Sequence, residues 1–263
     1  MVDAATKGNA SVVKAMTILN AFTPLQPTLS IRALAERTRL PRSTTHSLCL
    51  ALCEAGMLEQ IPRRGYRLGR SLVGLGGQVI DRTGLATAAE GLLRRIPLRS
   101  RQEAHLAQFV DGWVVYLERI TGREPRPMRN RMGLRAPAHR TGCGKAALSV
   151  LAPDVVERLV AFTCVAEQLP TPDLADLKDE LATARRDGFV VSRLFQRGTT
   201  SVAAAIVDLT GTPVGAVSIA GASEVFTKAA VAEAAHYVCE AGLAISHRMV
   251  DRLGTFRATA TLS

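Results

Sequence analysis

Apolar positions before residue 57 fall into three short helical stripes. Val12, Ala15, Met16, Leu19 and Phe22 recur at helical spacing and predict an amphipathic helix that Pro24 stops. Ser30 is a capping residue for a second helix of barely two turns, whose Ile31, Leu34 and Ala35 face inward. Leu40-Pro41 interrupts the pattern, because a proline pushes the residue before it out of the helical region. A third helix follows from about Pro41 or Arg42 to Ala55, with Leu48, Leu52 and Ala55 on its apolar face and Gly56 as a left-handed cap. Met57 to Ile61 and Tyr66 to Leu68 then predict two strands around the tip Pro62-Arg63-Arg64-Gly65.

Leu72, Leu75 and Val79 lay an apolar strip on a further helix that Gly74, Gly76 and Gly77 weaken, so its stability is borrowed from a neighbour. Beyond a helical stretch around Ala88 to Ile96, Ala104 to Val110 and Trp113 to Ile120 flank Asp111-Gly112, a hairpin signal. Val202 to Val207 and Val214 to Ile219 predict a second hairpin. Helices are expected at Gly142 to Leu151, Pro153 to Phe162 and Leu174 to Asp187. A last one starts at the capping residue Thr227, with Val231, Ala235, Val238, Gly242, Ile245 and Met249 down one side. Hairpins mixed with helices indicate an antiparallel α+β sheet covered by helices, not a doubly wound parallel sheet.

Two short helices joined by a three- or four-residue turn read as a helix-turn-helix. The N-terminal end of the second presents free N–H groups and a positive dipole to phosphate, and its short hydroxyls and arginine reach base edges. Backbone anchoring falls to Arg42, Ser43, Arg63 and Arg64, and base reading to Thr44, Thr45, His46 and Ser47. Net charge changes the picture in the same direction. The 263 residues carry +10, of which residues 1–83 hold +6, 84–135 hold +5 and 136–263 hold −1. This is the asymmetry of a polyanion-binding module joined to a neutral one. The middle excess includes Arg119, Arg123, Arg126, Arg129, Arg131 and Arg135, and its role stays open among solvation, pairing across subunits and steering of an anion.

Other classes drop out. No apolar run approaches the roughly 18 residues a span needs, and Met1 to Ala10 lacks a signal-peptide pattern, so a cytoplasmic protein is expected. Five cysteines suggest reduced thiols, and Cys49 with Cys53 lacks a second ligand pair, so neither metal nor cofactor is expected. "TGCGKA" misses the phosphate-loop pattern, with His139 where glycine is required and Ala146 in place of Ser or Thr. No nucleophile elbow or zinc helix is present, so no enzyme is expected. The alternative is a small-molecule or thiol redox sensor, or an enzyme, resting on Cys143 and carrying a vestigial head.

The stretches "SVVKAMTILNAF", "LSIRALAERTRLPRSTTHSLCLALCEAGMLE" and "YRLGRSLVGLG" resemble the winged helix-turn-helix of IclR-type bacterial transcriptional regulators. The likeness continues through "HLAQFVDGWVVYLERI", "MGLRAPAHRTGCGKAALSVLAP", "ELATARRDGFVVS" and "GTPVGAVSIAGA", nearly the whole chain in order. It implies a winged-helix head at 1–69, a linker helix at 70–85, a GAF-like effector-binding and oligomerisation domain at 86–254, and a tail at 255–263. The implied function is operator binding to double-stranded DNA at an inverted repeat, more often as repressor than activator, by a homodimer or homotetramer.

Two departures lie in the head: Arg39 stands where the family commonly has Gly, and Ser47 where it commonly has Arg. Thr141 can cap a helix whose first N–H groups, at Gly142, Cys143 and Gly144, suit a carboxylate. The resemblance places a small organic effector, a carboxylate or aromatic compound, at Gly142 and Cys143, Ser201, Ser218 and Ala220. Met128, Met132, Leu134 and Ala136 are expected as its apolar wall. Ala220 stands where some acid-binding relatives carry serine, which argues for a less polar ligand, and Arg193 is expected to be solvated.

Overall fold

A computed structural model describes residues 9–122, 132–193 and 196–260. The chain divides into two compact units between Arg82 and Thr83.

The first unit contains α1 (Ala10–Asn20), β1 (Thr28–Leu29), α2 (Ile31–Thr38), α3 (Arg42–Glu54), β2 (Leu58–Ile61), β3 (Gly65–Leu68) and α4 (Ser71–Thr83). The strands form an antiparallel sheet in the order β1-β3-β2, so the wing hairpin β2-β3 gains a two-residue third strand too short to leave a periodic signal. Ile18, Phe22, Leu29, Leu34, Cys49, Leu58 and Tyr66 make the core. The expected stripe on α1 needs correction. Val12 and Met16 are 59% and 50% exposed, whereas Ile18 has no exposure. Two apolar stripes compete on this helix, and the one through Ile18 and Phe22 packs inward. Ala55 is likewise exposed, because α3 ends at Glu54.

Ser30 caps α2, its Oγ accepting from the Ala33 N–H at 3.2 Å. Arg39 ends that helix in the left-handed region, at φ 56° and ψ 27°. Arg39, Leu40 and Pro41 therefore form the three-residue turn between α2 and α3. On α4, Leu75 and Val79 of the expected strip stand exposed at 49% and 52% while Leu72 is half-buried, so most of that strip is open to solvent in the single chain.

The second unit begins with α5 (Leu85–Ala89) and α6 (Leu92–Ser100), separated by Gly91 at φ 75° where one helix was expected. The hairpin β4 (Glu103–Val110) and β5 (Trp113–Ile120) turns through Asp111 and Gly112, both at positive φ. Next come β6 (Arg135–Pro137), a 3-10 turn at Ala138–Arg140, α7 (Gly142–Ser149), α8 (Pro153–Ala166) and α9 (Leu174–Asp187). β7 (Val190–Ser192), β8 (Thr199–Val207), β9 (Pro213–Ala222) and α10 (Lys228–Ala260) complete the unit. Six strands pair antiparallel throughout in the order β6-β5-β4-β9-β8-β7.

Alternation divides the sheet into two faces. Leu106, Val202, Ala204, Ile206, Val217 and Ile219 pack on Val238 and Ile245 of α10, and on Leu85 and Leu93. Ala107, Val114, Tyr116, Ala203 and Ala216 face Cys143 and Ala146 of α7. Where β8 slips register between Ile206 and Val207, the freed Val207 N–H donates to Ser246 Oγ at 3.0 Å. Ser246 in turn donates to the Gly242 carbonyl one turn back, at 2.8 Å.

Arg39 offers a direct check on the head. A left-handed non-glycine residue costs roughly 1–2 kcal/mol, partly offset by its smaller unfolded-state entropy than glycine's. Arg39→Gly is expected to stabilise the first unit by up to about 1 kcal/mol in urea unfolding followed by circular dichroism. A loss of stability would show that the Arg39 side chain holds the turn.

Candidate nucleic-acid interface and ligand site

The first N–H groups of any α-helix lack intrahelical partners, and Pro41 supplies no side-chain cap for α3. The outer side of this helix end carries Arg42, Ser43, His46 and Ser47, all exposed, with Thr44 half-buried. Thr45 corrects the expected base-reading set. It has no exposure, and its hydroxyl donates to the Pro41 carbonyl at 3.0 Å. One residue in each turn of α3 must point at the core, and Thr45 with Cys49 fills that stripe.

The wing tip presents Arg63 and Arg64, both exposed and without an ion-pair partner among the described residues. Arg63 sits at φ 60°. At Gly65 a Cβ would lie 2.2 Å from the Leu29 carbonyl oxygen, so only glycine lets β3 close on β1. Three other cations of the head are committed internally. Arg67 and Arg70 bind Glu59 at 2.7 and 3.2 Å, and the Arg67 hydrogen bond holds that carboxyl below its usual range. Arg37 donates to the Ala21 carbonyl at 2.7 Å and pins the loop before β1.

In the second unit α7 is buried along all eight residues. Thr141 Oγ1 accepts from the Gly144 N–H at 2.9 Å, and a Cβ at Gly144 would lie 2.2 Å from the Ala138 carbonyl oxygen. These contacts set the start of α7 directly on the sheet, where a Cβ at Gly142 would meet Ser201 Oγ at 2.6 Å and Ser192 Cβ at 3.5 Å. The Ser192 hydroxyl is buried without a hydrogen-bond partner among the described residues, and Ser201 Oγ donates to the Ser192 carbonyl at 3.4 Å.

Strand register arranges this side of the sheet in two rows. Ser192, Ser201, Ala220 and Glu103 face one another in sequence across β7, β8, β9 and β4. Val190, Ala203, Ser218, His105 and Arg119 form the adjacent row and extend it to β5. Gly142, Cys143, Ser201, Ser218 and Ala220 are thus gathered on one side of the sheet. Ala136 packs in the same apolar cluster as Cys143 with Leu134 beside it, whereas Met132, 44% exposed, lies outside that cluster. Met128 falls outside the described residues. Arg193 is exposed.

Sequence reasoning missed Glu103, His105 and Arg119. Arg119 donates to Glu103 through Nε at 3.0 Å and Nη2 at 2.5 Å, and this pairing pushes the Arg119 pKa up. His105 Nε2 lies 3.6 Å from the same carboxylate, and its ring meets Tyr116 edge-on at 5.9 Å. Period-two alternation in Glu103-Ala104-His105 was the available signal, since it puts both polar side chains on one face. Of the middle arginine cluster, Arg119 pairs within the chain, and Arg135 binds Glu167 at 2.9 Å while lying over the Trp113 ring. Arg123, Arg126, Arg129 and Arg131 fall outside the described residues.

A hollow of about 570 Å³ opens between His139, Lys145, Leu169, Asp176 and Glu180. Lys145 is buried and reaches Glu180 at 2.5 Å, tying α7 to α9. Burial first, then Arg140 and Lys145, lower the His139 pKa. Burial pushes the Cys49 thiol up to about 11 and raises Cys164 and Cys239, the reverse of what a reactive thiol needs. No group of three or more metal-ligating side chains occurs among the described residues, and no helix among them is long and apolar enough to cross a membrane.

A winged helix with an exposed helix-turn-helix, coupled to a helix-covered antiparallel sheet, defines a DNA-binding transcriptional regulator of two parts. Residues 11–62 match the IclR helix-turn-helix domain, and residues 77–247 match the family described as bacterial transcriptional regulator IclR C-terminal. The chain belongs to the IclR family. It is 29% identical over 244 residues to the transcriptional regulator XynR of Escherichia coli K12, covering 91% of this chain and 96% of that one. It is 27% identical to the E. coli transcriptional repressor AllR, over 85% of this chain and 84% of the relative. An IclR homolog from Microbacterium hydrocarbonoxydans, solved in complex with 4-hydroxybenzoate, superposes with a TM-score of 0.73 at 23% identity, covering 91% and 98% of the two chains. The matching families and relatives are regulators, not enzymes.

Thr45→Val separates the inward and outward sides of α3. Loss of the hydroxyl bond to Pro41 is expected to cost the head about 1 kcal/mol, read by chemical denaturation, with the ranking of DNA sequences unchanged. An altered ranking would return Thr45 to the reading surface.

Proposed function

We propose that the protein is a ligand-responsive repressor that grips an inverted-repeat operator as a homodimer or homotetramer and works in the cytoplasm. Arg42, Ser43, Arg63 and Arg64 hold phosphates, and Thr44, His46 and Ser47 meet base edges. Ser47 offers a single hydroxyl bond, not the bidentate contact to guanine that arginine makes, so its operator differs from those read by arginine at this position. The exposed apolar strips of α1 and α4 suit burial by a second copy, since patches of this kind mark protein contacts. Repression is the reading favoured by the relative named a repressor.

The effector is a small organic acid, aromatic or aliphatic, seated over Ser192 and Ser201 with its carboxylate at the start of α7. The observation that carries this reading is the Ser192 hydroxyl, buried without a hydrogen-bond partner among the described residues and lying beneath Gly142 at the positive end of α7. The Microbacterium homolog solved with 4-hydroxybenzoate supports an aromatic acid as the first class to try. A ligand changes operator binding only through a difference in its affinity for the two head spacings, so binding and release of DNA are reciprocally linked.

Gel-shift of the DNA upstream of the protein's own reading frame, repeated against a panel of organic acids, tests both halves. Arg42→Glu with Arg63→Glu is expected to weaken binding to every sequence and reduce the salt slope by about one per lost phosphate contact. An unchanged slope would remove those arginines from the interface. Gly142→Val is expected to abolish the acid response while leaving operator affinity intact, because the added side chain collides with Ser201. A normal response in that variant would move the effector elsewhere.

A further inference from the structure

We infer that Glu103, with His105 and Arg119, forms the far wall of the ligand site and selects acids whose other end donates a hydrogen bond, excluding dicarboxylates. This rests on the effector reading above and extends it from the carboxylate end to the opposite one. The polar row has a sequence of its own: serine, serine, alanine, glutamate. Neighbouring strands lie about 4.8 Å apart, so Ser201 and Glu103 stand about 10 Å from each other with only the Ala220 methyl between them. In the adjacent row Ala203 stands beside Ser218 before His105 is reached. Along the row from Ser192 to Glu103 the floor is therefore polar at both ends with a small side chain in the middle, and it fits a flat apolar ring or short chain lying across the strands.

The two ends differ in chemistry. At the α7 end, the positive helix terminus and the buried Ser192 hydroxyl meet the ligand, which matches a carboxylate. At the other end Arg119 is already satisfied in bidentate fashion by Glu103, so its positive charge is matched. What the Glu103 carboxylate offers an incoming group is acceptor capacity alone, since an ionised carboxylate has no proton to give. Both Glu103 and His105 are buried, so a ligand group meets them out of water, where a mismatched polar end is penalised heavily. A hydroxyl or ammonium is accepted. A second carboxylate is repelled by Glu103, whose neighbour Arg119 is already paired.

Two acids of matched length supply the test: 4-(hydroxymethyl)benzoate, which ends in a donor, and terephthalate, which ends in a second carboxylate. Calorimetric titration of the full chain is expected to show at least a tenfold preference for the hydroxymethyl acid. Glu103→Gln releases Arg119 from its partner, and the preference is expected to reverse towards terephthalate. Should that variant not fold, as judged by circular dichroism, Glu103→Gln combined with Arg119→Gln removes both charges together and is expected to abolish the discrimination. Equal binding of both acids by the unaltered protein overturns the far-wall assignment, as does a ratio that the substitutions leave unchanged. If no acid of the wider panel binds the unaltered protein at all, the effector reading itself falls, a result distinct from binding without discrimination.

Discussion

The close seating of α7 on the sheet is the constraint from which the second unit follows. A helix buried along its whole length has to be met by small residues, and Ala203, Ala216, Ala107, Cys143 and Ala146 supply them. Gly144 admits the Ala138 carbonyl, and Thr141 satisfies the Gly144 N–H that this packing removes from water. With α7 covered on its outer side by α8 and α9, its one cationic side chain needs an acidic partner, which Glu180 provides. The start of the helix is thereby held on the serine row with little freedom to move. Rigid placement of this kind lets a helix N-terminus discriminate between anions instead of merely attracting them.

Much of the fold is legible in the sequence wherever one periodicity dominates. The stripe from Val231 to Met249 on α10, the bounds of α9 with Gly188 at φ 82° and the Asp111-Gly112 turn all emerge from pattern and turn chemistry alone. Ambiguity arises where two apolar stripes share a helix, as on α1, and only tertiary packing chooses between them. Short elements such as β1 and β6 leave no periodic trace and exist because a neighbouring strand needs a partner. In the candidate site, Gly142 and the three matched strand positions were reachable by motif. The Glu103 and Arg119 pair was not, since its residues are 16 apart in sequence and meet only through the register of β4 with β5.

Charge is sorted more finely than the regional totals suggest. In the head, Arg37, Arg67 and Arg70 serve the fold through Ala21 and Glu59, while Arg42, Arg63 and Arg64 face outward at a helix start and a wing tip. In the middle of the chain, Arg119 and Arg135 are spent on Glu103, Glu167 and Trp113. Part of the basic excess that resembles a polyanion signature is therefore internal structure. Net charge alone overstates the surface on offer to a nucleic acid.

The row that runs Ser192, Ser201, Ala220 and Glu103 has a consequence for how such a protein diversifies. Its four members sit on four different strands, each held by backbone ladders that do not depend on side-chain identity. One position can change without shifting the register of the other three. Under the proposed effector reading, ligand preference is then adjustable in single mutational steps, with the α10 face of the sheet, which carries the larger core, left untouched. On that reading, specificity and stability are written on opposite sides of the same sheet, and that separation makes the fold evolvable.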